Sequence, residues 1–243
     1  MNTAQKLTAI AENQQKVYDK GRDAQWSDFW DKYQEKGTKS QYLYAFAGHS
    51  WTDETFKPKH NISPSYSCQY MFTYSRITNL SEILDRQGVT MNLSRANSVL
   101  CAFQYCDKLT NIPEINLSGI KNNTNANMLF DGATSLETVE KLVFSGADGI
   151  QYYNAFKSCN SLKNVVFAGV VTRSINCQDS PLTNDSIKSL ILCLKNYKNT
   201  SAEGAYTITL KELCKTALEA EGATSPHGNL WTEYVSDLGW VLA

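Results

Sequence analysis

The chain has 243 residues, with 23 Lys plus Arg balanced by 24 Asp plus Glu. A net charge of −1 excludes a general affinity for nucleic acid or an anionic membrane surface. No stretch approaches the roughly 18–20 consecutive apolar residues of a membrane-spanning helix, and the length suffices for a sizeable core.

Residues 3 to about 36 contain no proline and predict one helix, with a break near Gly21. Leu7, Ile10, Gln14, Val17, Gly21 and Ala24 follow heptad spacing, although Gln14 and Gly21 weaken the seam. Trp26, Phe29, Trp30 and Tyr33 add a one-sided aromatic stripe. Two uses compete: an amphipathic helix lying on its own domain, or a helix that docks or self-associates. Leu7, Ile10, Gln14, Val17, Trp26 and Trp30 are the candidate docking residues. The opening residues lack the apolar core of a secretory signal, which predicts synthesis and first folding in a reducing bacterial cytoplasm.

Residues 37–66 carry Gly37, Pro58 and Pro64 and predict loops with a short hairpin. A phenylalanine then recurs. It stands at Phe46, Phe72, Phe103, Phe130 and Phe156, at intervals of 26, 31, 27 and 26 residues. The last four are followed after three residues by Ser75, Cys106, Ala133 or Cys159. Aliphatics come next, at Ile77, Leu109, Leu136 and Leu162, then at Leu80, Ile112, Val139 and Val165. A fixed anchor with a period in the twenties predicts stacked repeats that bury a shared column of rings. The longest interval contains an insertion around residues 84–90, where Gly88 predicts a turn. Asp148 and Gly149 predict a tight turn.

The blocks from Ala102 through Phe103, Cys106 and Leu109 to Ile112, and from Ala155 through Phe156, Cys159 and Leu162 to Val165, resemble the BspA-like leucine-rich repeat family. The Phe46 block departs most, with His49 at the small position and Trp51 at the aliphatic one, and is read as an entry cap. The resemblance covers about residues 42–176 and implies a short leucine-rich-repeat solenoid; with its entry cap over 39–180, the N-terminal helix over 1–38 and an α/β cap over 181–243, the expected fold is α+β. Within that last segment, Thr183 or Asn184 predicts an N-cap, and Ile187, Leu190, Ile191 and Leu194 have helical spacing. Tyr206–Leu210 predicts a strand and 211–221 a second helix ending at Gly222. A short helix through Trp231 and Tyr234 and a closing strand over 239–242 complete the chain.

A second resemblance lies at the start. Lys6 to Asn13, Val17, Tyr18, Gly21 and the run from Phe29 to Gln34 are similar to N-terminal segments of proteins from Gram-positive phages and prophages. Residues 44–48 and 51–58 fit the same set. This similarity implies a non-enzymatic virion structural protein, a head or tail decoration or a fibre component. Its partners would be other virion proteins or further copies of itself, a trimer among the forms. The alternatives are an adhesin for a host-surface polysaccharide or protein, and a cytosolic interaction domain.

No GxSxG, HExxH, P-loop or GxGxxG motif occurs, so no enzyme activity and no cofactor or metal are expected. His49, His60 and His227 are dispersed, and the seven cysteines show no CxxC spacing, which predicts buried thiols. The remaining chemistry is aromatic. Tyr70, Tyr74, Tyr105, Tyr152 and Tyr153 sit near the anchors and are the candidate ligand surface, a ladder for flat sugar rings or a protein. The competing reading is that these rings shield edges and pack on one another.

Overall fold

A computed structural model describes residues 45–243, apart from 50, 59, 60, 65, 122–125, 149 and 153. The chain divides between Lys39 and Ser40 into two units, and the described residues belong to the second. The helix expected over 3–36 and its docking residues Leu7, Ile10, Gln14, Val17, Trp26 and Trp30 lie outside the described residues.

The five anchor phenylalanines form one buried file. Successive ring centroids are 5.0, 5.2, 5.7 and 5.7 Å apart from Phe46 to Phe156. Trp51 and Phe56 pack edge-on around Phe46 at one end, and Phe167 meets Phe156 edge-on at the other. The spacing works because each anchor is also a backbone rung. The amide of Phe72 donates to the carbonyl of Ala102, that of Phe103 to Leu129 and that of Phe130 to Ala155, at 2.7–2.9 Å. The small residues three positions on are buried beside the rings. Two of them do more than leave space. The thiol of Cys106 donates to the Phe72 carbonyl at 3.0 Å, and that of Cys159 to the Phe130 carbonyl at 3.2 Å.

Strands follow the aliphatic pairs. The first sheet contains β1 (Asn111–Ile112), β2 (Ile115–Asn116), β3 (Thr138–Ser145) and β4 (Asn164–Val170), all parallel. Asn111, Thr138 and Asn164 are in register across β1, β3 and β4. The second sheet has β5 (Ile175–Cys177), β6 (Thr207–Leu210) and β7 (Val241–Leu242), again parallel, in the order β5-β6-β7.

The expected BspA-like leucine-rich solenoid is corrected by this topology. The described chain is an α+β structure with four helices and two separate parallel sheets, not a closed solenoid. Backbone pairing explains the difference. Before Asn111 the described segments are joined by the rungs and turns but form no continuous strands, pairing as strands do only at isolated bridges, Ile62 to Met91, Ser67 to Ser98 and Asn79 to Asn111. The first of these is parallel and joins residues 29 apart, so it is no part of the hairpin expected over 37–66. After β4 the first sheet stops because a helix, rather than a strand, meets its edge.

That helix is α2 (Asn184–Leu192), which follows α1 (Leu80–Gln87) in the chain. The hydroxyl of Ser186 accepts from the amide of Val165 at 2.9 Å and donates to the carbonyl of Lys163 at 3.0 Å. Ser189 accepts from the amide of Phe167 at 3.1 Å. Two serines one helical turn apart thus satisfy an edge that would otherwise invite another strand. Replacing Ser186 with alanine leaves a buried amide without its acceptor. An expected loss of about 1–3 kcal/mol follows, to be read from the urea midpoint of the Ser186→Ala variant.

The other helices have local causes. In α1, Asn79 caps the first turn by accepting from the Glu82 amide, and Gly88, at φ 64°, closes the end. The turn expected at Gly88 is the stop of this helix, which had no counterpart among the expected elements. Thr183 caps α2, with its hydroxyl accepting from Ser186 N. Then come α3 (Glu212–Ala220), followed by Gly222 at φ 62°, and α4 (Trp231–Asp237). These elements and β7 occupy the positions that periodicity indicated.

Candidate contact surface

Beside the file of phenylalanines, the backbone turns sharply at repeated places. Two residues after each anchor the chain is left-handed, at Gly48, Tyr74, Tyr105, Gly132 and Ser158, with φ between 57° and 99°. Two residues before three of them it is left-handed again, at Tyr70, Cys101 and Met128. A non-glycine residue in this region costs about 1–2 kcal/mol. The rungs hold the turns in place: the amide of Tyr74 donates to the Gln104 carbonyl at 3.0 Å, and that of Tyr105 to the Asp131 carbonyl at 2.8 Å.

This geometry brings Tyr74 and Tyr105 together outside the core. Their centroids are 4.9 Å apart and their planes 26° from parallel. Both are exposed, at 47% and 42%. His49 stands beside Tyr74 at 5.9 Å, inclined by 63°. The Tyr105 ring also lies against Gly132. A Cβ built there would sit 2.4 Å from Tyr105 Cδ1. Gly132 therefore has two reasons to be glycine, its φ of 75° and the ring above it. Gly132→Ala should displace Tyr105 and cost on the order of 1–2 kcal/mol, measurable as a changed near-ultraviolet circular dichroism together with a lower urea midpoint.

The strip is buttressed from inside. Gln104 Nε2 donates to Asp131 Oδ2 at 3.0 Å, and Asp131 is itself buried. Thr73 Oγ1 donates to the Cys101 carbonyl at 2.7 Å. The consequence for binding is specific. Tyr105 is held between two contacts, the stacked ring of Tyr74 and the backbone of Gly132. Both rings remain about half exposed, at 47% and 42%.

The other sequence candidates separate. Tyr152 is corrected: it is 2% exposed and packs edge-on against Phe144 at 4.9 Å. Burial pushes its phenol well above the ordinary range. Tyr70 is half-buried, and its hydroxyl bonds to the Cys101 thiol. Tyr153 lies outside the described residues. His49 and Gly132 were not singled out as partners of the strip. The signal for both was their place in the repeat, three and two residues after an anchor.

All seven cysteines are buried free thiols. Burial pushes Cys106 and Cys177 up to about 12 and Cys193 up to about 11, so they are poor nucleophiles. Native chain should therefore resist iodoacetamide near neutral pH, whereas urea-unfolded chain should take up seven labels by intact mass. Among the described residues, no group of three or more His, Cys, Asp or Glu is placed to hold a metal ion. Asp53, Glu54, Lys57, Arg86 and Gln87 line an open depression of mixed charge. Its Asp53 carboxylate is already engaged by the amide and hydroxyl of Thr78. Among the described residues, no helix is long and apolar enough to cross a membrane. Compared with protein-family models, curated proteins and solved structures, the chain matches none.

Proposed function

We propose that this chain is a non-enzymatic structural protein of a phage or prophage virion, a head or tail decoration or a fibre component. Its N-terminal segment attaches it to the particle or to further copies of itself. The described part presents a rigid contact strip to a protein. The virion assignment rests on the N-terminal resemblance. The observation that carries the contact role is the exposed Tyr74–Tyr105 stack, held by backbone rungs and by Gly132.

Tyrosine offers large contact area at low entropic cost and is enriched where proteins meet. Ring edges and hydroxyls suit the mixed carbonyl and aliphatic surface of a protein. A pyranose stacks on an open ring face, and the Tyr105 ring is already stacked on Tyr74 and in contact with Gly132. Of the two adhesin ligands, this favours a protein over a polysaccharide.

Two measurements test the proposal. Cryo-microscopy of particles from which the gene has been deleted should lack a discrete density; unchanged density rejects the virion role. Purified chain carrying Tyr74→Ser and Tyr105→Ser should fold with the parent's far-ultraviolet circular dichroism yet lose binding to its particle or host protein. Retained binding rejects the strip.

A further inference from the structure

We propose that Tyr74 and Tyr105 form an oxidative cross-linking site. A one-electron oxidant, such as a peroxide-activated haem protein or a photo-oxidised metal complex, joins their rings by a carbon–carbon bond. This goes beyond the contact role and does not depend on any partner.

The step balances. Each phenol gives up one electron and its hydroxyl proton, forming a phenoxyl radical. The two radicals couple at ring carbons ortho to oxygen. Each of those carbons then releases its hydrogen as a proton, and the oxygens are protonated again. The net change is two electrons passed to two equivalents of oxidant and two protons passed to water.

Three features of the geometry favour this pair. The rings are nearly parallel with centroids 4.9 Å apart, so radicals formed there are already in contact. Both are open to a soluble oxidant, at 47% and 42% exposure. The rung from Tyr74 N to Gln104 O and the seat on Gly132 restrict the motion that would separate them. Among the described residues, the other close tyrosine pair lacks these features. Tyr197 and Tyr206 are 5.0 Å apart but inclined by 50°, and Tyr197 is buried with its hydroxyl donating to the Thr172 carbonyl at 2.9 Å. Tyr66 is exposed but stands in no ring stack among the described residues. A Tyr74–Tyr105 bond would staple residues 31 apart in the chain and restrict the unfolded ensemble as a disulfide does.

The test uses the full chain, at a dilution where collisions between chains are rare. It is illuminated with ruthenium tris-bipyridyl and persulfate. The expected product is a monomer lighter by two hydrogens, with blue dityrosine fluorescence. Its main cross-linked proteolytic fragment joins Tyr74 to Tyr105, and its urea midpoint rises. Tyr105→Phe keeps the stack and should lose that fragment, whereas Tyr66→Phe should keep it. The proposal is overturned if no cross-link forms, if only intermolecular dimers form, or if the main fragment joins Tyr197 to Tyr206 or any other pair.

Discussion

Replacing Phe103 with alanine should cost about 3–5 kcal/mol, the range for emptying a fully buried aromatic site. Phe103 is the middle ring of the file, 5.2 Å from Phe72 and 5.7 Å from Phe130. Its removal takes away two ring contacts and leaves a cavity between segments that are also joined by its amide. Those rungs limit how far the neighbours can close in, which places the effect toward the upper end. A loss of this size is a large share of the stability of an ordinary domain. Chemical denaturation of Phe103→Ala against Phe103→Leu measures it. Leucine refills most of the volume and should recover more than half of the loss. A Phe103→Ala variant within about 1 kcal/mol of the parent would mean that the file is not a principal source of stability.

The second large effect is alkaline. Cys106 and Cys177 are fully buried, and burial pushes both from an ordinary value near 9 up to about 12. Cys193 is pushed up to about 11. Cys68 and Cys159 are raised by the same cause. The sign follows from linkage. Below pH of about 9 the thiols are neutral in both states, and their contribution is fully present. As pH rises toward the folded-state values, the unfolded chain ionises and the folded chain does not, so stability is lost. Each fully buried thiol removes up to about 1.4 kcal/mol per pH unit in that window. The urea midpoint should therefore fall steeply between pH of about 9 and about 11, while staying nearly flat from about 7 to about 8.5. In Cys106→Ala the slope should be shallower by one thiol. A parent midpoint that does not move across the alkaline window would contradict the burial of these groups.

Tyr74 and Tyr152 illustrate why the candidate surface was only partly legible. Both are tyrosines near an anchor, and sequence spacing treats them alike. Tyr74 follows its phenylalanine by two residues, at a left-handed turn that points the ring outward. Tyr152 precedes Phe156 by four, in a segment that lays its ring on Phe144 of β3. Inside or outside was decided by what each ring meets: Phe144, on the strand just before it, for Tyr152, and Tyr105, 31 residues on, for Tyr74. The contacts of Tyr105 were hidden because they come from far along the chain, Tyr74 across a gap of 31 residues and Gly132 across 27.

The sequence by itself determined the file of rings, the buried thiols and the order of elements after Pro181. Each depends on spacing or on side-chain size along the chain, quantities that one dimension carries. The extent of the sheets was a tertiary decision. A parallel edge continues only if the next segment offers carbonyls and amides in register, and along β4 that role falls to Ser186 and Ser189 on a helix. Whether a hydroxyl or a strand meets an amide is settled by where α2 comes to rest, a position that no local pattern encodes.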